Sequence, residues 1–445
     1  MFFIILLFPL LFLACGEGEW IMHDEEYHKE REFSNNYWLL KAYFYHPERI
    51  KEYEEYRGME IDSMYESLKD YFCGANNIGY CYRYTYYLPP EKSDDKINDI
   101  ENTKKYYSFG FERDNVVNDG KPVDTLIVSA VYPISPAASV GLKKRDKLLL
   151  ANEIPITGEN TAIYLKNDDQ FKNSTIFTVM RDGEIKTLPA MQKKEVPKPT
   201  VYLDSLEGIP FITVTVYKVG TNNPDGTYAE FRKILQEIKG AKTAIMDLRN
   251  NGGGSIWHCT AMAAELVPLD KELVYDVQHL YDSKRGNVID TQHIYARKYL
   301  KQEGAGVNIK WIILMNNGSA SCSERFIAAV KYNRRETQLI GQTSYGKGVG
   351  QVYAKTYLGG LAYITSLQTF YPNGETFHDV GIKPDILAEP KEVYSKAIKA
   401  AQDFSLAKRS STPVRLGTLP PERLAEDIEL GAYRKIEMPL FHQGE

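Results

Sequence analysis

Residues 311–331 read WIILMNNGSASCSERFIAAVK and carry the strongest signal of fold class in the chain. The apolar run Trp311–Met315 predicts a buried strand, because a strand covered on both faces is apolar throughout. From Glu324 to Lys331, apolar residues recur at the spacing of a helix face. The polar loop between the two is therefore a strand-to-helix turn, which is typical of α/β folds.

Similar strand and helix patterns alternate on both sides of this turn. Because strands that alternate with helices form α/β folds with functional loops at strand ends, we predict an α/β core over residues 193–390. Its expected strands are Ile209–Tyr217, Ala244–Leu248, Trp311–Met315 and Gln338–Ile340, and its expected helices are Tyr228–Lys239, Cys259–Leu266 and Glu324–Lys331.

The turn itself, NNGSASCSE at residues 316–324, contains a serine, Ser321, that can present its hydroxyl to a cleft. The first amides of the following helix, together with the helix dipole, can stabilise an oxyanion there. Small polar residues at a helix start usually act as caps. Taken alone, the motif therefore favours capping over catalysis.

A second strand-end loop, GQTSYGKGVGQ at residues 341–351, holds Lys347 between two glycines. A lysine in such a loop can point inward, where desolvation favours the neutral amine that accepts a proton from a serine. Phosphate binding is the alternative role. It is disfavoured because Gly348 follows the lysine, whereas the phosphate-binding pattern requires Ser or Thr.

The third loop, DLRNNGGGS at residues 247–255, follows another apolar strand. Its three glycines allow backbone amides to face a ligand. By itself it is only a flexible loop. Opposite Ser321 it would supply the second amide donor that acyl transfer requires.

Four ordered motifs together resemble one known family. They are NxGSASxSE, GxxxYGKGxxQ, DLRxNxGG and, further on, VGIKPD at Val380–Asp385. In this combination they resemble the carboxy-terminal processing peptidases, also called tail-specific proteases, which are serine peptidases of family S41. The resemblance covers residues 106–390 and, more loosely, the helical region before them.

The resemblance implies a Ser-Lys peptidase that needs no cofactor and no metal. It implies Ser321 as the nucleophile and Lys347 as the general base. Cys322 stands where alanine is common in the family, which a backbone role tolerates. The other implied site residues are Gln351, which positions the base, Glu324, which matches a family glutamate, and an oxyanion hole from the amides of Cys322 and of Gly252 or Gly253.

Two histidines offer a different base in a Ser-His arrangement. His258 follows the glycine loop, and His378 follows a turn at Asn373–Gly374. Neither lies in a motif that the resemblance marks. We therefore expect His258 at an ordinary helix start and His378 in a surface loop.

Residues 106–192 have the pattern of a β-rich module. The order of strands and a short helix resembles a PDZ domain, which binds the carboxyl terminus of an extended peptide at a sheet edge. The resemblance implies that Phe109, Gly110 and Phe111 form the carboxylate-binding loop. A β-rich spacer is the alternative. The expected strands are Ser108–Glu112, Asp124–Tyr132, Lys147–Ala151 and Thr175–Leu188, the last broken by a turn at Arg181–Glu184.

The amino terminus predicts export. Met1–Ala14 form one apolar run that is too short to span a bilayer but suits a signal peptide over residues 1–15. The small residue before Cys15 resembles a bacterial lipoprotein processing site, so we expect a lipid anchor at Cys15 in the periplasm or outer membrane, with surface exposure left open. A plain secretory signal and a buried amino-terminal helix are the alternatives.

Helical regions are expected on either side of these two domains. Over residues 16–105 we predict an acidic solvated tether at Glu17–Glu32, a helical region at Asn35–Phe72 and a polar linker at Pro89–Lys105. Over residues 391–445 we predict a helix at Val393–Phe404 and a polar tail. The predicted fold class is thus multidomain α/β, with an inserted β-rich domain and helical termini.

Charge and cysteine content exclude some other functions. With 54 Lys and Arg against 59 Asp and Glu, the net charge is −5, so no basic surface argues for nucleic acid. The cysteine spacing matches no zinc pattern. Cys73 and Cys81 are candidates for a disulfide, whereas Cys259 and Cys322 are expected to be buried thiols.

The expected function is endopeptidase action on envelope proteins with exposed carboxy-terminal tails. Intact Ser321, Lys347 and Gln351 argue against the first alternative, a non-catalytic peptide-binding lipoprotein. The second alternative, an envelope esterase or transacylase, would use the same serine on a non-peptide substrate. A homo-oligomer or an adaptor is left open.

Overall fold

The computed structural model describes residues 19–68, 84–118, 121–156, 174–282 and 286–406. The predicted signal peptide, Cys15, Cys73, Cys81 and the carboxy-terminal tail lie outside these residues, so the predictions made for them stay predictions. None of the helices in these ranges is long and apolar enough to cross a membrane.

The helices and strands of the described residues are numbered in chain order. The helices are α1 (Glu19–Tyr43), α2 (Tyr53–Tyr56), α3 (Ile61–Glu66), α4 (Pro90–Glu101), α5 (Pro136–Ser139), α6 (Gly226–Glu237), α7 (Ile256–Ala264), α8 (Cys322–Asn333) and α9 (Val393–Leu406). The strands up to the core are β1 (Tyr86–Leu88), β2 (Lys105–Ser108), β3 (Phe111–Asn118), β4 (Lys121–Val131), β5 (Lys147–Ala151), β6 (Ile154–Pro155), β7 (Phe177–Arg181), β8 (Glu184–Thr187) and β9 (Lys194–Pro197). Those that follow are β10 (Val201–Leu206), β11 (Ile209–Val214), β12 (Thr243–Asp247), β13 (Glu272–Asp282), β14 (Gly286–Tyr295), β15 (Lys310–Met315), β16 (Gln338–Gly341), β17 (Val349–Lys355), β18 (Leu361–Phe370) and β19 (Ile386–Leu387).

A six-stranded sheet forms the centre of the α/β region, in the order β10-β11-β12-β15-β16-β19. All its neighbours pair in parallel except β10 and β11. In β15, Trp311 and Ile313 pack in the same cluster as residues of α7 and α8, whereas Ile312 and Leu314 pack with α9. Both faces of the strand are therefore buried, which explains its continuous apolar run and confirms the predicted strand.

A second sheet, antiparallel, joins the amino-terminal helices to the core. Its order is β1-β18-β13-β14, with β17 also paired to β18. Leu40, Phe44 and Met64 of the amino-terminal region pack against Ala362 and Ile364 of β18. The β13–β14 hairpin was not among the predicted elements.

The β-rich module contains a sheet in the order β3-β4-β5-β7-β8, with β6 on β5. Strands β2 and β9, at the two ends of the module, pair with each other. The predicted strand Lys147–Ala151 coincides with β5, and the predicted turn lies between β7 and β8. The assignment to the PDZ family stays a prediction.

The prediction of a solvated tether over residues 17–32 was wrong, because α1 begins at Glu19. Its charged residues are not all solvated. The Glu32 side chain is 3% exposed and its carboxylate accepts hydrogen bonds from the Leu358 N–H (2.7 Å) and the Tyr87 hydroxyl (3.0 Å). A charge-rich segment can thus be helical when one side of it packs on the protein.

The prediction of a polar linker at Pro89–Lys105 was also wrong, because α4 occupies most of it. Proline is tolerated at a helix start, where its missing N–H is not needed. Ser93 is the only buried residue of α4, and its hydroxyl donates to the Gly359 carbonyl (2.7 Å). Besides Pro90, Ile97 and Ile100 are the only apolar residues of this helix, which are too few for a helix face to be recognised from the sequence.

Candidate active site

Three loops of the core meet where its parallel strands end. β12 pairs with β15 and β15 with β16, with Asp247 opposite Leu314 and Met315 opposite Gly341. Since neighbouring parallel strands end on the same side, the loops that follow them converge there. These loops contain the glycine motif, Ser321 and Lys347. Motifs that are distant in the sequence thus form one edge of the sheet.

Ser321 occupies the N-cap position of α8 in a rare backbone conformation, with φ +56° and ψ −113°. Residues other than glycine seldom adopt positive φ, and such strain persists only where neighbouring contacts hold it. The hydroxyls of Ser319 and Ser323 donate to the carbonyls of Leu248 (2.8 Å) and Asn251 (2.9 Å). These bonds hold the serine turn against the glycine loop.

The glycine loop lies directly beside the serine. Gly253 has φ +106°, and a Cβ atom there would lie 2.8 Å from the Cβ of Ser321, so only glycine fits. The Gly253 N–H donates to Oδ1 of Asn251 (3.0 Å). Within the described residues, the N–H groups of Gly252 and Cys322 donate to no protein acceptor. Those two amides are therefore available to a ligand, whereas the Gly253 amide is engaged.

Glu324 connects the serine turn to the lysine loop. Its side chain is fully buried, and its carboxylate accepts hydrogen bonds from the backbone N–H groups of Ser321 (2.9 Å), Gly346 (2.6 Å) and Lys347 (2.7 Å). The Ser344 hydroxyl also donates to it (2.5 Å). Burial raises the pKa of the Glu324 carboxyl, and these hydrogen bonds oppose the rise. One carboxylate thus fixes both loops relative to each other.

Lys347 is half-buried, and contacts within the protein hold its ammonium group. Its Nζ donates to Oε1 of Gln351 (2.9 Å) and lies 4.1 Å from the ring centroid of Tyr84. The Gln351 amide in turn donates to the Thr365 hydroxyl (3.3 Å). The ammonium position is therefore set by contacts on two sides.

One cavity of about 240 Å³ brings several of the predicted site residues together, although Glu324 and Cys322 do not line it. Ser321, Lys347 and Gln351 all line it, which is the arrangement that a nucleophile and its base require. The remaining lining residues are Asp99, Ile100, Val216, Lys218, Gly252, Gly253, Gly254, Ile256, Gly350 and Tyr363.

This geometry lies within a segment, residues 211–388, that matches the model of Peptidase family S41. We call residues 211–388 the S41 domain, after the family model that they match. The predicted family is thereby supported for these residues, which include Ser321 and Lys347.

Relatives of the S41 domain are found among curated proteins. The chain is 28% identical over 278 residues to "Probable CtpA-like serine protease" of Staphylococcus aureus, covering 62% of this chain and 52% of the relative. It is 26% identical over 286 residues to "Carboxy-terminal processing protease CtpA" of Bacillus subtilis, covering 63% of this chain and 57% of the relative. The chain thus spans about half the length of the curated relatives it matches.

A solved structure, the photosystem II D1 C-terminal processing protease, is similar to the chain with a TM-score of 0.45 and 17% identity. The superposition covers 82% of this chain and 94% of that structure.

The cavity of the S41 domain also has a wall that no sequence motif indicated. Lys218 donates from Nζ to the backbone oxygens of Asp99 and Ile100 (3.1 Å to Ile100), in the last turn of α4. Burial lowers the pKa of the Lys218 ammonium. Because α4 precedes the family match, part of the cavity wall comes from outside the S41 domain.

Neither histidine lies at the serine. His258 is in the first turn of α7, as predicted, and is buried, and its Nδ1 accepts the Tyr228 N–H (3.1 Å). Burial lowers the pKa of His258 to about 4. His378 is half-buried rather than at the surface, and its Nδ1 accepts the Gly348 N–H (3.2 Å), which supports the lysine loop.

The VGIKPD motif also supports the lysine loop. The Ile382 N–H donates to the Ser344 hydroxyl (2.7 Å), and the Asp385 carboxylate accepts from the Leu339 N–H (2.8 Å) in β16. Across the described ranges, no group of three or more His, Cys, Asp or Glu residues could hold a metal ion.

Cys259 and Cys322 form a disulfide between α7 and α8, so the prediction of two buried thiols was wrong. Both residues are buried, as expected. The pairing could not be inferred from their separation of 63 residues. It arises because both helices begin at loops that meet beside Ser321, which brings the two Cα atoms to 5.7 Å, within disulfide range.

The predicted carboxylate-binding loop lies at the start of β3, in the β-rich module. Phe109 is 2% exposed and packs edge-on against Phe177, with ring centroids 5.4 Å apart. Gly110 has φ +77°, and its N–H donates to the Ser108 hydroxyl (3.2 Å). Phe111 is half-buried. The role of these residues in peptide binding stays a prediction.

Proposed function

We propose that the chain is a serine endopeptidase of the carboxy-terminal processing type, with Ser321 as nucleophile and Lys347 as general base. The observation that supports it most is the shared cavity. Ser321, Lys347 and Gly252 line it, and Cys322 lines a small adjoining cavity together with the same serine and lysine. The N–H groups of Gly252 and Cys322 donate to no protein acceptor within the described residues, and all four residues lie in the segment that matches family S41. Nucleophile, base and oxyanion donors in one cleft are the set that acyl transfer requires.

The reaction follows from these positions. Neutral Lys347 takes the proton of the Ser321 hydroxyl as Oγ attacks the peptide carbonyl carbon. The N–H groups of Gly252 and Cys322 then donate to the oxyanion. As the tetrahedral intermediate collapses, the Lys347 ammonium protonates the leaving amine. Water, deprotonated by the same lysine, attacks the acyl ester. As the acid product leaves, the Lys347 ammonium returns its proton to Oγ of Ser321, which restores both residues.

Gln351 and Glu324 act by position in this scheme. Gln351 holds the lysine Nζ through its side-chain oxygen (2.9 Å). Glu324 accepts the N–H groups of both Ser321 and Lys347 and so maintains the spacing of nucleophile and base. Spacing matters because a misplacement of about 1 Å can lower a rate a hundredfold.

The substrates we propose are envelope proteins with exposed carboxy-terminal tails, bound through Phe109, Gly110 and Phe111 of the β-rich module. Export with lipid attachment at Cys15 remains part of the proposal. The buried disulfide between Cys259 and Cys322 supports an oxidising compartment, because disulfides persist mainly in exported proteins.

Digestion of a denatured protein with an apolar carboxy terminus tests the function. We expect the purified chain to cleave it, and Ser321→Ala and Lys347→Ala each to lower the rate by at least about a thousandfold. Full activity of Ser321→Ala would contradict the proposed nucleophile. Assays of the wild type and the same variants on a small ester distinguish a peptidase from an esterase. Hydrolysis of the ester without any peptide cleavage would favour an esterase.

A further inference from the structure

The base of the proposed dyad touches an aromatic ring from outside the S41 domain. The Lys347 Nζ lies 4.1 Å from the centroid of the Tyr84 ring, whereas the family match begins only at residue 211. The position of Tyr84 is well anchored. Its neighbour Thr85 is fully buried and accepts the Thr365 N–H at its hydroxyl (3.0 Å), and β1, which follows at once, pairs with β18.

An aromatic face distinguishes the two protonation states of a lysine. It attracts the ammonium through the ring quadrupole and has no comparable attraction for the neutral amine. The oxygen of Gln351, on another side of Nζ, can accept from either form. Tyr84 is therefore a contact that selects for charge on Lys347.

We propose that Tyr84 is a positioning residue for the Ser-Lys reaction, holding Lys347 in place and stabilising the positive charge that the lysine acquires when it takes the serine proton. This inference rests on the proposed function of Lys347. The contact with Tyr84 should affect the reaction in two opposing ways. The ring raises the pH at which the base becomes neutral, and it raises the rate once that pH has been passed.

Other titratable groups face the same lysine and act on it in every variant. Because they are unchanged by a substitution at position 84, differences between variants report the ring alone. In the described residues they are Asp99, Lys218 and Tyr363 across the cavity, Glu324 at the Lys347 N–H, and Arg325, which is paired with Asp276 and lines a small adjoining cavity.

The ionisation of Lys347 can be read without any turnover. Brief acetylation by acetic anhydride at a series of pH values, quantified for Lys347 by mass spectrometry, follows the neutral amine. The variants of the full chain are Tyr84→Leu, which removes the ring, Tyr84→Phe, which keeps it, and pentafluorophenylalanine at position 84, which keeps the shape but removes the negative ring face. Tyr107→Leu, at a 47% exposed tyrosine, is the matched control.

We expect Tyr84→Leu and the fluorinated ring to lower the labelling midpoint of Lys347 by about 0.5 to 1.5 pH units, with Tyr84→Phe close to wild type. In peptide hydrolysis, kcat/KM should begin to rise at lower pH in the first two variants. Its plateau should be about two- to tenfold lower, because the base is weaker.

An unchanged midpoint with the fluorinated ring would overturn the proposal, and so would an equal shift in Tyr84→Phe. The fluorinated variant keeps the packing, so it answers the question even if Tyr84→Leu does not fold. A shifted midpoint in a chain that cleaves no peptide would instead support the Tyr84 contact and count against the proposed function.

Discussion

Two parts of the molecule reach the same cavity in different ways. The S41 domain contributes the serine, the lysine and the glycine loop from the ends of parallel strands. The region before the β-rich module contributes the end of α4 to the cavity wall, and it contributes Tyr84, whose ring contacts Lys347. The loops of the S41 domain require glycines and small residues at fixed positions, so they can be recognised as motifs in the sequence. The contacts from the other region involve one aromatic ring and two backbone carbonyl oxygens, which produce no recognisable motif.

Of the substitutions that test this comparison, those in the glycine loop should change kcat/KM the most. Gly253→Ala should lower kcat/KM more than about a thousandfold, because its Cβ would collide with Ser321 (2.8 Å) at φ +106°. The matched control is Gly252→Ala, since a Cβ there meets no atom within 4 Å and its N–H is retained. Steady-state measurement of kcat/KM for the two variants tests this prediction. Similar losses in both would mean that the loop does not act through the geometry described.

That loop also marks what sequence alone could predict of the site. Ser321, Lys347 and the glycine loop were predicted as site residues because their motifs, each following an apolar strand, together resemble those of one peptidase family. The choice between Gly252 and Gly253 could not be made. It depends on the Asn251 side chain, whose oxygen engages the Gly253 N–H (3.0 Å) and leaves the neighbouring amide available.

Removal of the Cys259–Cys322 disulfide should affect stability rather than chemistry. For a separation of 63 residues, the loss of chain entropy in the unfolded state predicts a stabilisation of up to about 4 kcal/mol. The double variant Cys259→Ala with Cys322→Ala should therefore unfold at lower urea. Reductant should lower the wild-type midpoint toward that of the variant and leave the variant unchanged. Insensitivity of the wild type to reductant would show that the bond does not form.

Acid should destabilise the core through His258. Its pKa is lowered to about 4 in the folded state from an ordinary 6.5. Between these values the unfolded chain binds the proton and the folded chain does not, so stability falls as pH drops from 6.5 to 4, by up to about 3 kcal/mol.

The matched variant is His258→Asn, whose side-chain oxygen can still accept the Tyr228 N–H without titrating. Urea unfolding at pH 7 and pH 4.5 measures the effect. The wild type should lose more stability than the variant over this interval. Equal losses would assign the acid sensitivity to carboxyl groups instead.

Lys218→Met should have the smallest effect, because it removes hydrogen bonds to α4 but no group of the proposed reaction. Loss of the hydrogen bonds to Asp99 and Ile100 should loosen one cavity wall and raise KM about three- to tenfold with little change in kcat. Lys239→Met, at an exposed lysine, is the control. A fall in kcat comparable to that of Gly253→Ala would place Lys218 in the catalytic machinery.

The strands at the centre of the parallel sheet were the easiest part of the fold to predict. β15 and β12 are covered on both faces and stand out as apolar runs. The β13–β14 hairpin, with Asp276, Gln278, Asp290 and Gln292 in its strands, carries no such run and was missed. α4 was missed for the same reason, since so little of it is buried. An element that contacts the protein mainly through a few polar atoms cannot be predicted from hydrophobic periodicity.

The positive φ of Ser321 has a consequence for how this chain can be improved. Glycine would adopt φ +56° without strain, so Ser321→Gly should fold at least as stably as the wild type while lacking the proposed nucleophile. Selection for thermal stability alone would therefore favour glycine at position 321, which lacks the hydroxyl that the proposed reaction requires. The strained serine is a place where stability and activity are in direct conflict, and stabilised variants should be sought elsewhere in the chain.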